Sequence, residues 1–230
     1  SYTGIAILFP DWAKLPNKYE EVVNSRREEL EDFLRKKVTQ RNGPESTLIG
    51  TGPFKGQTLA DVSSKLEKPF EGVLIDDIGP YGAGAAHFIM DEALQSSLLK
   101  HPYINICSDG SPTMRHPRGY GSFPKIIETY VIGQNLLTLE EAVHKMTSLA
   151  SGTIQLADRG KIEKGKAADI LVFKAEELKE NATYEEPHQL AGGMEYVMVN
   201  GQIAIDAGKF SEKGYGKVLI MYAIEGYKHS

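Results

Sequence analysis

Between residues 18 and 41 the apolar positions Val22, Val23, Leu30, Phe33, Leu34 and Val38 recur near helical spacing, with charges between them. That pattern predicts one amphipathic helix or two joined helices, ended by Asn42-Gly43-Pro44. Ser46 to Gly50 reads as a short strand. Thr58 is placed to cap a helix reaching Lys68, which Pro69 stops. An apolar piece, Gly72 to Ile78, runs into the glycine-rich segment GPYGAGAAH, and His87-Phe88-Ile89-Met90 reads as a strand. Asp91 caps a further helix to about Lys100. Pro102 then separates that helix from the apolar run Tyr103 to Cys107, which delivers the chain into Ser108-Asp109-Gly110.

After Pro124 an apolar helix is expected over Lys125 to Ile132. Thr138 and Glu141 form a capping-box pair, and Ala142, Val143, Met146 and Leu149 give the next helix its buried stripe. From about residue 158 the character changes. Glycines punctuate three short β-type runs, 169–173, 196–200 and 202–205, and Asn200-Gly201 is a two-residue hairpin signal. Short apolar runs alternating with helices, followed by strands, predict an α/β fold. The last third has too few strands to close a sandwich alone, so it is expected to borrow strands from elsewhere.

Composition changes this picture little. The 230 residues are 41% hydrophobic and 25% charged, ordinary globular usage. A net charge of −5, spread along the chain, offers no basic face for nucleic acid. No apolar run has the length of a membrane span. The single cysteine, Cys107, excludes an intrachain disulfide and fits a reducing, cytoplasmic compartment. No CxxC, HxH or HExxH pattern is present. The chain begins Ser1-Tyr2-Thr3 without an initiator Met, which suggests a fragment or, as a sharper reading, an N-terminal serine made by self-cleavage of a precursor.

Candidate chemistry gathers at residues 105–125. A carboxylate at a strand end, Asp109, can act as general base or metal ligand, but Asp-Gly is a common turn dipeptide, and on pattern alone the turn leads. Arg118 presents a planar fork suited to a substrate carboxylate, although most loop arginines are merely solvated. His116, beside a proline, His87 and His144 have no metal-spaced partners, and Cys107 is expected to pack as a small hydrophobe. The glycines of 79–85 lack GxGxxG or Walker spacing.

Several stretches together resemble the N-acyl-D-amino-acid deacylases (D-aminoacylases) of the amidohydrolase superfamily. They are Ser108-Asp109-Gly110, His116-Pro117-Arg118 and Gly121-Ser122-Phe123-Pro124-Lys125, then Leu137 to Thr147, Ala157-Asp158-Arg159-Gly160, Gly165 to Phe173, Pro187-His188-Gln189 and Val199-Asn200-Gly201. The resemblance is nearly continuous from Ser108 to Gly201. It implies the C-terminal portion of a TIM-type barrel in residues 1–157, followed in 158–230 by strands of a small β-sandwich domain. It further implies zinc, one or two ions, with Asp109 relaying a proton from water to the leaving amine and acting as a possible metal ligand. Arg118 would anchor the carboxylate of a small N-acyl amino-acid substrate, and Ser1 and Tyr2 would add substrate contacts.

The family's HxH, bridging cysteine, later metal-binding histidines and YPY tyrosines have no counterpart here. The resemblance is therefore to a C-terminal half whose partner is the N-terminal half of the same enzyme, and the assembled enzyme could form a homo-oligomer. Two other readings stand beside amide hydrolysis: a ring-opening cyclic amidase of hydantoinase or dihydroorotase type, and a catalytically silent scaffold.

Overall fold

The computed structural model describes residues 2–111 and 113–219. Ser1, expected to touch substrate, and residues 220–230 of the expected second domain lie outside the described residues. Three strands, β1 (Tyr2–Gly4), β2 (Thr47–Ile49) and β3 (Gly84–His87), form a sheet in the order β1-β3-β2. Both pairings are antiparallel, with Tyr2 opposite Ala86 and Thr47 opposite His87.

Helix α1 (Tyr19–Thr39) is two helices joined at Arg26, where φ is −136°. Asn42 and Gly43 end it in left-handed conformations. Its stripe of Leu30, Leu34 and Val38 packs with Ile5, Leu8, Ile49 and Leu74 into an interior from which water is excluded. Helix α2 (Leu59–Leu66) starts on a full capping box, Thr58 with Asp61, and stops at Glu67 rather than Lys68 because Glu67 takes φ 52°. The apolar piece after it is helical. Helix α3 (Phe70–Gly72) passes directly into a π-helix, Val73–Ile78, ended by Gly79 at φ 71°.

Helix α4 (Glu92–Lys100) is capped by Asp91, whose carboxylate accepts from the Leu94 N–H at 2.8 Å. The run Tyr103 to Cys107, expected as a strand, belongs to no sheet among the described residues. A strand is completed by its neighbours, and here the Ile106 N–H donates instead to the Lys145 carbonyl at 3.1 Å. Helix α5 (Arg118–Lys125) begins earlier than expected and carries Pro124 inside it, continuing as a π-helix over Ile126–Gly133. Helix α6 (Leu139–Met146) has the expected Thr138–Glu141 box, and α7 (Ser148–Thr153) follows. Ile126, Tyr130, Leu137 and Ala142 make a second, smaller apolar cluster.

Four strands, β4 (Ile170–Phe173), β5 (Met194–Val199), β6 (Gln202–Asp206) and β7 (Lys209–Phe210), form an antiparallel sheet in chain order. Asn200 and Gly201, both at positive φ (49° and 78°), make the tight turn between β5 and β6 that their dipeptide predicts. The fold is α/β with two antiparallel sheets; no two strands pair in parallel among the described residues. Nor is any helix among them long and apolar enough to cross a membrane.

Candidate active site

Asp109, just after the run that ends at Cys107, meets Arg118, the first residue of α5. A Cβ added to Gly110 would lie 2.7 Å from the Gly119 Cα, so the two segments pass too closely for a side chain there. Asp109 takes φ 47°, the left-handed region that Asp tolerates better than most residues. Arg118 then grips it twice. Its Nη2 lies 2.8 Å from the Asp109 Oδ2, and its Nε–H donates to the Asp109 carbonyl at 3.1 Å. The Asp109 side chain is 77% exposed and that of Arg118 21%. A pair so open adds little to stability, and its effect is geometric: it orients a solvent-reachable carboxylate.

His116 is buried, and its Nδ1 accepts the Arg118 backbone N–H at 3.1 Å, which leaves the ring proton on Nε2. Burial, reinforced by the Arg118 cation, lowers its pKa to about 4. The imidazole is therefore neutral at neutral pH. Its ring meets Tyr2 edge-on at 5.8 Å and Tyr184 at 5.1 Å. Tyr2 thus sits beside the loop that carries Arg118, and burial raises its hydroxyl pKa. Cys107 is exposed rather than packed, since the run that holds it has no sheet to bury it. His87 is buried on β3 beside Thr47, its Nδ1 3.2 Å from the hydroxyl. His144 meets the Ser148 hydroxyl at 2.6 Å on the surface.

A cavity of about 560 Å³ opens beside this loop, with His116, Arg118, Lys125 and Ile106 in its wall. Two contributors to the site were not among the expected site residues, although Lys145 falls within the resembling stretch Leu137 to Thr147. Lys145, buried on α6, donates to the carbonyls of His101 and Ile104 (3.0 Å to the latter) and so fixes the segment leading to Asp109. Tyr184 comes from the chain between β4 and β5. Only the resemblance of nearby Pro187-His188-Gln189 marked that region.

Among the described residues no group of three or more His, Cys, Asp or Glu could hold a metal ion. Asp109 alone, already paired with Arg118, does not fit a zinc centre, which needs three or four protein donors.

Residues 73–205 match the model of the amidohydrolase family. The chain belongs to that family, and within the superfamily to its D-aminoacylase branch. It is 37% identical over 139 residues to an N-acyl-D-aspartate deacylase of Alcaligenes xylosoxydans xylosoxydans, a match covering 60% of this chain and 28% of that one. A D-aminoacylase of the same organism is 35% identical over 168 residues, covering 72% of this chain and 34% of the relative. The solved N-acyl-D-glutamate deacylase of Bordetella bronchiseptica, complexed with zinc and a phosphonate mimic of the tetrahedral intermediate, superposes with a TM-score of 0.64 at 30% identity. That match covers 72% of this chain and 36% of the solved one. The chain spans about a third of the length of these relatives.

Proposed function

We propose that this chain is the C-terminal part of a zinc-dependent enzyme that hydrolyses the amide bond of N-acyl-D-amino acids. The observation that carries this is the exposed Asp109 carboxylate, held by Arg118 at the mouth of a cavity, in a chain of the D-aminoacylase branch. Zinc, present in the solved relative, would be held by donors outside the described residues. Those donors would belong to the N-terminal half of the enzyme, the partner that would complete the barrel whose C-terminal portion is residues 1–157. Residues 158–230 contribute to the small β domain.

Within this chain Asp109 is the proton carrier. It takes a proton from the attacking water and returns it to the nitrogen as the C–N bond breaks, giving a carboxylic acid and a free D-amino acid. Arg118 uses Nε and Nη2 on Asp109, which leaves Nη1 for the substrate carboxylate. Tyr2 and Ser1, the latter outside the described residues, would add further substrate contacts.

The test uses the complete enzyme with N-acetyl-D-amino acids. Asp109→Asn should lower kcat by about 10²–10⁴-fold with little change in KM, the range for loss of a general acid–base group. Near-normal turnover would remove Asp109 from the mechanism. Faster opening of cyclic ureides than of N-acyl amino acids would move the chain to the cyclic amidases.

A further inference from the structure

The segment joining β4 to β5 is a closed loop of its own. Lys179 and Gly192 bridge its ends, with N–H to carbonyl distances of 3.3 and 3.0 Å. The Asn181 amide reaches the Leu190 carbonyl at 3.0 Å, and Thr183 and Glu186 close a turn inside it. Such compact loops, held by their own contacts, frequently serve function. This one is fastened to the helix that follows Arg118. Glu128 accepts from the Glu180 N–H and from Lys179, both at 2.8 Å, and Glu180 pairs with Lys125 at 3.3 Å. At its far end the His188 Nε2 lies 2.8 Å from the Met114 carbonyl, and its ring lies 5.4 Å from that of Tyr120.

Fastened at both ends, the loop lays Thr183, Tyr184 and Glu185 along the cavity that contains Arg118. Tyr184 is held between two rings, edge-on to His116 at 5.1 Å and to Phe88 at 5.0 Å. Its neighbours around the cavity include Met90, Leu99, Ile106, Ile126 and Tyr130, all apolar-bodied. Both cations of the wall are already matched, Arg118 by Asp109 and Lys125 by Glu180. Once Arg118 takes the substrate carboxylate, the remaining wall offers no unmatched positive charge to a second one.

We infer that Tyr184 is a specificity-determining residue, whose ring bounds the space for an apolar group of the substrate, either the amino-acid side chain or the acyl chain. This rests on the proposed deacylase activity. A fixed aromatic wall grades substrates by size, since each methylene that fits or fails to fit such a pocket changes kcat/KM by tenfold or more. In this scheme Tyr184 takes no part in the proton transfer.

Two substrate series on the complete enzyme test it. One varies the side chain with acetyl fixed, from N-acetyl-D-alanine to N-acetyl-D-leucine. The other varies the acyl chain on D-alanine, from acetyl to hexanoyl. Tyr184→Ala should lower kcat/KM for the larger members of one series by about tenfold, through KM, and leave N-acetyl-D-alanine within about twofold. Tyr184→Trp should act the opposite way on space, rejecting the longest members of that same series. The series that responds identifies which group the ring meets. A uniform loss across both series, or no change in either, overturns the assignment. Tyr184→Phe, which keeps the ring, should leave both series unchanged and guards against misfolding as the cause. If the unaltered enzyme hydrolyses no N-acyl-D-amino acid, the deacylase reading fails with it. Activity with flat Tyr184 variants sinks the Tyr184 inference alone.

Discussion

The first 87 residues and the last sheet both carry apolar runs but are held in different ways. In the first region the side chains of Leu30, Leu34, Leu74 and Ile49 are essentially inaccessible, and helices cover the sheet. In the sheet β4–β7 no residue is buried, and none belongs to either apolar cluster. Cross-strand register puts Leu171, Val197 and Ile205 on one face, with Val172 and Tyr196 on the other. Both faces carry apolar side chains, with Asp206 opposite Tyr196 on the second. What holds this sheet locally is polar: Arg159 bonds Asp169 and Asn200, the latter at 2.7 Å, and the Asn200 N–H donates to Asp169 at 2.8 Å. A region with its own interior is a folding unit; a sheet with apolar side chains on both sides is half of an interface.

The comparison is broken most directly in the first region. Leu34→Ala removes a fully buried side chain and should cost about 2–5 kcal/mol. Denaturant unfolding of the chain would show it as a fall in midpoint with unchanged slope. A loss below about 1 kcal/mol would mean that this interior collapses around the gap and is less tightly packed than its burial implies.

Acid separates the two regions by pH. Burial, followed by the Arg41 cation, lowers the His87 pKa from 6.5 to about 4. The folded state then binds fewer protons than the unfolded one between those values, so stability falls as pH drops from about 6.5 to about 4 and levels off below. The loss from His87 is on the order of 3 kcal/mol, with His116 adding in the same window. Asp169 behaves oppositely. The Asn200 N–H and then Arg159 hold its carboxyl below 3.8, so its contribution survives until pH falls beneath that value. Hydrogen exchange along a pH series should show β3 loosening before the β5–β6 turn. His87→Gln should flatten the first step, and an unchanged step would assign it to His116 instead.

Local signals were legible in the sequence because they need no distant partner. Asp91, the Thr138–Glu141 box, the end of α1 at Asn42-Gly43 and the Asn200-Gly201 turn all form where their residues predict. The run Tyr103 to Cys107 has strand-forming residues and no strand, because pairing is a property of two segments. Helix α5 runs through Pro124 because the turn at residues 116–118 starts it at Arg118, ahead of the Lys125 that the proline alone suggests, and its backbone then widens into a π-helix. At the site, the residues 109 and 118 were visible as a motif, whereas their mutual grip was not: Arg118 was expected to face substrate, and two of its nitrogens face Asp109. Tyr184 was invisible for the same reason as the missing strand, since nothing near residue 184 records that it packs on residue 116.

The smallest expected effect is the sharpest test of the comparison. Leu171 is 53% exposed in β4, so Leu171→Ala should change the stability of this chain by no more than about 0.5 kcal/mol, as for an ordinary surface site. In the proposed complete enzyme the same substitution should cost at least about 2 kcal/mol if that face is covered, because it then deletes a core side chain. The difference between the two measurements, made by denaturant unfolding under one set of conditions, reads the burial that the proposed N-terminal half would supply. Equal small losses in both would show that the Leu171 face stays open in the assembled protein. The sheet would then be covered, if at all, on the side of Val172 and Tyr196, and Val172→Ala would carry the large effect instead.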